Sequence, residues 1–313
     1  MLRTFISFLS LWLWQLPSSY ADAPVHIAVG QIVAHPALDS LREGLKEGLE
    51  KNGYIEGKNL EWTYENAQGN PTTAIQISKK LVSLNPTVII TLSTPMSQAA
   101  LAVTSTIPVV FGAVSDPAAA KLSGQKNVTG LTDFVPPEVQ LKLVQDFLPN
   151  VKTIGVIYNS GEANSVKQIQ NLKAEGQKQN IKIVEASVSK SSDVSSATKT
   201  LVGKVDAILL PTDNTVITAL ESIIKIGDDN KIPVFGSDVD IVRRGAIAAY
   251  GVSWHESGLT LAEMVTQILK GTPVTDLPIR NPSHLLFYIN LKAAEKIGLS
   301  VPTSLQKKAD VIL

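Results

Sequence analysis

The sequence predicts an α/β protein of two similar lobes, each a parallel sheet of βαβ units, hinged so that a ligand cleft lies between them. Three features carry that prediction. Apolar runs of strand length alternate with stretches whose leucines recur at helical spacing. The same order of elements occurs twice along the chain. The apolar runs also end in Ser, Thr, Asp and Asn, at the strand ends where parallel sheets bind their ligands.

Taken in order, residues 26–29 (HIAV) read as a strand, followed by a polar turn containing His35-Pro36. Leu38, Leu41, Leu45 and Leu49 mark one face of a helix that Asn52-Gly53 ends. Residues 59–71 (NLEWTYENAQGNP) read as extended chain and a turn, and 75–84 as a helix broken by Asn85-Pro86. Residues 88–92 (VIITL) are a buried strand ending in Ser93-Thr94-Pro95. Another helix leads to the strand 107–111, and an alanine-rich, helical-looking stretch follows Asp116-Pro117.

The order then returns. Strand 153–157 (TIGVI), turn 159–164 and helix 166–179 precede an extended segment at 181–186. A helix at 191–203 and a buried strand at 206–210 (DAILL) follow, the latter ending in Pro211-Thr212-Asp213-Asn214. Residues 231–240 (KIPVFGSDVD) nearly repeat 106–117 (TIPVVFGAVSDP). The interval from Ile27 to Asn52-Gly53 equals that from Ile154 to Gln179-Asn180. Two βαβ lobes with sheets covered on both faces follow from this pattern.

Between the halves a proline-stiffened crossing enters a helix at 137–148. The tail adds a strand at 246–252, a helix at 256–270, a strand at 285–289 and a helix from Asn290, pieces that cross back to complete both lobes. The predicted division is 24–132 with about 252–281 in lobe 1, and 134–250 with about 284–313 in lobe 2. Hinge rotation is expected near Thr132-Asp133, Tyr250-Gly251 and Asn281-Pro282.

Residues 1–21 read as a cleaved signal peptide: Arg3, an apolar run at 5–16 (FISFLSLWLWQL), then Ser19-Tyr20-Ala21 before Asp22. No later run is long and apolar enough to span a membrane. There is no cysteine, neither for disulfides nor for a lipoprotein anchor, so a soluble periplasmic protein is expected. The 28 basic and 28 acidic residues balance without long single-sign runs, which argues against nucleic-acid or membrane-surface partners. A monomer is expected.

Polar strand ends fall at Ser93-Thr94, Ser115-Asp116, Asn159 with Asn164-Ser165, Thr212-Asp213-Asn214, and Ser237-Asp238. Any one pair alone reads better as a helix N-cap. Five clusters matched between two halves point instead to a shared cleft. Helix N-termini suit an anionic group and carboxylates suit an ammonium, so together they fit a zwitterion such as an amino acid.

The sequence resembles the substrate-binding proteins of ABC transporters, in particular the tryptophan- or tyrosine-binding group with the type 1 periplasmic-binding fold. The resemblance rests on "HPALD" at 35–39, "FGAVSDP" at 111–117, "PTDNTV" at 211–216 and "IPVFGSD" at 232–238, and runs through nearly the whole mature chain. It implies a small solute captured between the lobes and delivered to a membrane permease with its ATPase. By matching motif it implies that Ser93, Thr94 and Ser115 receive the solute carboxylate. Asp116, Asp213, Asn214 and Asp238 are candidates for its ammonium, with Asp213 and Asp238 foremost and Thr212 beside them. Asn159 and Ser165 would close from the second lobe. No cofactor is expected.

Other readings are a sugar or nucleoside-like solute, and a sensor that docks on a membrane receptor. The scarcity of aromatic residues weighs against a sugar. An enzyme finds little support: there is no cysteine, HExxH, P-loop, strand-following GxGxxG or GxSxG motif, and the four histidines are scattered. His35 is expected to cap a helix or line the cleft. Phe111 and Phe235 read as core, whereas Phe134, Tyr158 and Trp254 lie near the presumed cleft.

Overall fold

The computed structural model describes residues 24–313, so the predicted signal peptide lies outside the described residues. The first lobe starts with β1 (Val25–Gln31) and α1 (Pro36–Lys51), then β2 (Leu60–Asn66) and α2 (Pro71–Ser83). It continues through β3 (Val88–Leu92), α3 (Thr94–Leu101), β4 (Val109–Gly112) and β5 (Val128–Gly130). These five strands form a wholly parallel sheet in the order β2-β1-β3-β4-β5. β3 and β4 are buried along their whole length because helices cover both faces, which is why they lack alternation.

The second lobe contains α4 (Pro137–Phe147), β6 (Thr153–Asn159), α5 (Ala163–Lys178), β7 (Lys182–Val188) and α6 (Val194–Lys199). β8 (Ala207–Leu210), α7 (Asn214–Ile217), α8 (Leu220–Asn230), β9 (Val234–Gly236), α9 (Asp240–Arg243) and β10 (Ala248–Gly251) follow. The strand order β10-β9-β8-β6-β7 mirrors that of the first lobe strand for strand, so the repeat in the sequence is a repeat in space. Phe111 and Phe235, equivalent in the repeat, are both fully buried core side chains.

The chain then returns to the first lobe as α10 (Trp254–Leu269), whose buried face joins the core of that lobe. Contact with α1 is backbone-close. A Cβ built on Gly258 would lie 2.2 Å from the Leu41 carbonyl oxygen, and one on Gly44 2.2 Å from that of His255. The final pass carries β11 (Leu286–Ile289), α11 (Leu291–Lys296), α12 (Thr303–Gln306) and β12 (Val311–Ile312) back onto the second sheet.

The structure differs from expectation in three places. β11 runs antiparallel to β10, in an otherwise parallel sheet. It enters from the other lobe, at the end where the neighbouring strands finish, and so must run back against them. The alanine-rich stretch after Pro117 makes only turns: Leu122 N–H bonds back to the Pro117 carbonyl at 2.8 Å, and Lys121 adopts a left-handed φ of 61° that no helix continues. The helix expected at 191–203 shrinks to a 3₁₀ turn and α6, ending before Gly203, which takes φ 72°.

Candidate functional site

Strand ends of both sheets meet in a narrow cleft between the lobes. His35, Leu38, Ala113, Ser115 and Trp254 form its wall on the first lobe. Asn164, Thr212, Asp213, Asn214, Ile217 and Asp238 face them from the second, and Asp133 comes from the crossing that follows β5. Five of the ten residues expected from sequence therefore line the cleft: Ser115, Thr212, Asp213, Asn214 and Asp238.

The other five lie around it. Ser93 and Thr94 are buried at the end of β3, and neither hydroxyl has a hydrogen-bond partner. Asp116 turns away to accept Ala119 N–H at 2.8 Å, the capping role its residue type equally allows. Asn159 lines a wider opening between the lobes, and its Nδ2 donates to Thr215 Oγ1 at 2.8 Å. Ser165 is fully buried and accepts from Asn164 Nδ2 at 3.3 Å.

Asp213 is the N-cap of α7. One carboxylate oxygen accepts Thr215 and Val216 N–H at 3.0 and 2.8 Å, and the other accepts Asn159 N–H at 2.6 Å. Glu162, also buried, accepts the Asn214 and Thr215 N–H groups of the same short helix at 3.1 and 3.0 Å. Burial and the charge of Glu162 raise the Asp213 carboxyl to about 7. A residue so engaged by backbone donors holds the cleft wall in place.

Asp238 and Asp133 are differently placed. Asp238 Oδ1 accepts the Trp254 indole N–H at 2.8 Å and Asp240 N–H at 3.0 Å, which ties a second-lobe strand end to the first turn of α10. Its carboxyl is raised to about 7, chiefly by burial and further by the charges of Asp240 and Asp133. Asp133 is raised to about 6 by burial, against a hydrogen bond from Ser115, and its Oδ1 has no partner. Three aspartates, Asp133, Asp213 and Asp238, thus line one buried cleft whose lining contains no Lys or Arg. Like charges in low dielectric favour a cation between them, or else a proton.

Unpartnered polar atoms concentrate here. Ser93 Oγ, Thr94 Oγ1, Asp133 Oδ1, Asn164 Oδ1 and Ser237 Oγ are buried without a hydrogen bond. Each such group costs about 1–3 kcal/mol, so a cluster of them at strand ends needs explanation by function rather than folding. Ser93 adds backbone strain, with φ 93° and ψ 159°, a region populated essentially by glycine and costing of order 1–3 kcal/mol. His35 does both things expected of it: Nδ1 caps α1 at Leu38 N–H, 3.5 Å away, and the ring lines the cleft. Burial lowers its pKa to about 4, so the ring is neutral at physiological pH.

Sequence reasoning missed Asp133 as a site residue, reading it only as part of a crossing. β5, which aims it, is three residues long and gives no periodic signal. Gln168 and Glu162 were missed because they sit within α5 or just before it, looking like ordinary helical polar residues. Trp254 was noticed as an aromatic near the cleft, but its bond to Asp238 could not be read from spacing.

The chain matches the family described as ABC transporter substrate binding protein over residues 26–312. A tyrosine-binding protein of Clostridioides difficile is 36% identical over 293 residues, 91% of this chain and 85% of that protein. A conserved domain protein from Vibrio cholerae, of known crystal structure, is 44% identical with a TM-score of 0.90 over 92% of this chain and 99% of its own. An ABC domain from Streptococcus pneumonia in complex with L-Trp is 30% identical and superposes with a TM-score of 0.89, covering 93% and 100%. A substrate-binding protein with adhesive properties from Clostridium difficile, in its ligand-free open form, is 36% identical over 92% and 98% yet reaches only 0.70. The more similar of these two sequences, in its open form, thus superposes less well than the L-Trp-bound one. The chain belongs to the ABC transporter substrate-binding protein family.

Proposed function

We propose that this substrate-binding component of an ABC transporter captures an α-amino acid, with an aromatic side chain favoured, and hands it to an importing permease outside the cytoplasm. The observation that carries the reading is the pair Asp133 and Asp238, buried together in a cleft without a cationic side chain. An ammonium between them relieves their mutual repulsion and supplies Asp133 Oδ1 with a donor. The unpartnered hydroxyls of Ser93 and Thr94, at the N-terminus of α3, offer donors to the solute carboxylate. Leu38, Ile217 and the face of Trp254 supply apolar surface for its side chain. The tyrosine-binding and L-Trp-bound relatives support the choice of ligand class.

In this reading the protein binds without chemistry, acts as a monomer, and reaches the periplasm through a cleaved leader. Calorimetric titration with the twenty L-amino acids, sugars and polyols tests it. Submicromolar binding of an aromatic amino acid is expected. Exclusive binding of a sugar or polyol, or chemical alteration of the bound solute, would overturn it.

A further inference from the structure

Closure of the two lobes is held by side chains as well as by any solute. Ser115 Oγ, at a first-lobe strand end, lies 2.9 Å from Thr212 Oγ1 of the second lobe. Gln168, on α5, ties this contact together. Its Nε2 donates to Ser115 Oγ at 2.9 Å across the lobes and also to Thr212 Oγ1, while its Oε1 accepts Thr212 N–H at 3.2 Å. One amide thus fixes the backbone of Thr212, presents its hydroxyl and reaches the opposite lobe. Gln168 does not line the cleft.

We infer that Gln168 is a positioning residue that latches the lobes through Ser115 and Thr212, so that the ligand-free protein populates the closed form and its affinity depends on this latch. The inference rests on the proposal that solute is bound between the lobes. Two features support it. All three polar groups satisfy one another across the lobe boundary, so opening leaves hydroxyls and an amide to be rehydrated. α3 and α5 also touch across the same boundary, so the latch sits where the lobes meet.

The chain lacks cysteine, so two can be introduced as unique labelling sites: Gln76→Cys on α2 and Lys190→Cys beyond β7, both exposed. The interlobe distance distribution is then read by pulsed electron spin resonance without solute. The parent is expected to show a dominant short distance, and Gln168→Met, which keeps the stem and removes the hydrogen bonds, a shift to long ones. Saturating L-tyrosine or L-tryptophan is expected to restore the short distance, with affinity about tenfold weaker, the effect of losing one or two net hydrogen bonds. Ser115→Ala breaks the same cross-lobe bonds from the other side and should shift the ligand-free distribution likewise, which covers the case that Gln168→Met fails to fold.

An unchanged ligand-free distribution in both variants overturns the latch, whatever happens to affinity or melting temperature. So does a parent that is fully open without solute. Because the decisive reading is made without solute, failure of every amino acid to bind would sink the functional proposal while leaving this test intact.

Discussion

Replacing Asp238 by asparagine separates the electrostatic role of this carboxylate from its structural one. Asparagine keeps Oδ1, and with it the bonds from Trp254 Nε1 at 2.8 Å and Asp240 N–H at 3.0 Å. What it removes is a buried charge near Asp133 and Asp240, both of which push its pKa upward. A carboxyl raised from 3.8 to about 7 opposes folding above neutral pH by at most about 4 kcal/mol. Asp238→Asn should therefore melt higher than the parent at pH 8, by several degrees. Binding should move the other way. Loss of a charge-assisted hydrogen bond to the solute ammonium is worth about 1.5–3 kcal/mol, or roughly 10- to 150-fold in Kd. Titration calorimetry at pH 8 beside a melting curve reads both. Affinity within threefold of the parent in a well-folded variant would refute the placement of the ammonium, and a lower melting temperature would refute the account of Asp238 as a strained charge.

Further outcomes follow from the same geometry. Since Asp133 and Asp238 titrate at about 6 and about 7 in the folded protein and at 3.8 as the reference carboxyl, the ligand-free protein loses their share of stability as pH rises from 4 through 7. An ammonium prefers the charged forms, so affinity should fall on acidification from pH 7 downward, first through Asp238 and below pH 6 through Asp133 as well, by about tenfold per pH unit for each proton displaced, as calorimetry across pH 5–8 would show. Ser93→Gly relieves a φ of 93° that costs about 1–3 kcal/mol while removing an unpartnered hydroxyl. It should raise the melting temperature and weaken binding; Ser93→Ala, which removes the same hydroxyl but keeps the backbone strain, should weaken binding as much and raise the melting temperature less. Gly258→Ala would drive a methyl against the Leu41 carbonyl oxygen and destabilise the α1–α10 contact by about 1–3 kcal/mol in denaturant unfolding.

Much of the fold was legible because its period is written twice. Leu38, Leu41, Leu45 and Leu49 announce α1, and the near-identical stretches around Phe111 and Phe235 announce equivalent core strands. What stayed hidden depends on the third dimension. The direction of β11 is set by where the chain re-enters the lobe, and no residue within 286–289 encodes that. The turns after Pro117 override the helix propensity of three alanines because Lys121 adopts a left-handed conformation. In the site, Thr212, Asp213 and Asp238 were readable from strand ends. Which aspartate is a cap and which has free valence was not, since both roles use the same residue type. Asp133 escaped because its neighbours form a strand too short to recognise, although it occupies the same cleft as Asp238.

The central claim is that a solute ammonium lies between Asp133 and Asp238. It is tested most directly by titrating the unmodified protein at pH 8 with L-tyrosine and with 3-(4-hydroxyphenyl)propionic acid, which differs only in lacking the amine. The account predicts that the deaminated acid binds at least 100-fold more weakly, because it adds a carboxylate to a cleft lined by three buried aspartates and supplies no cation. Equal affinity for the two would contradict it.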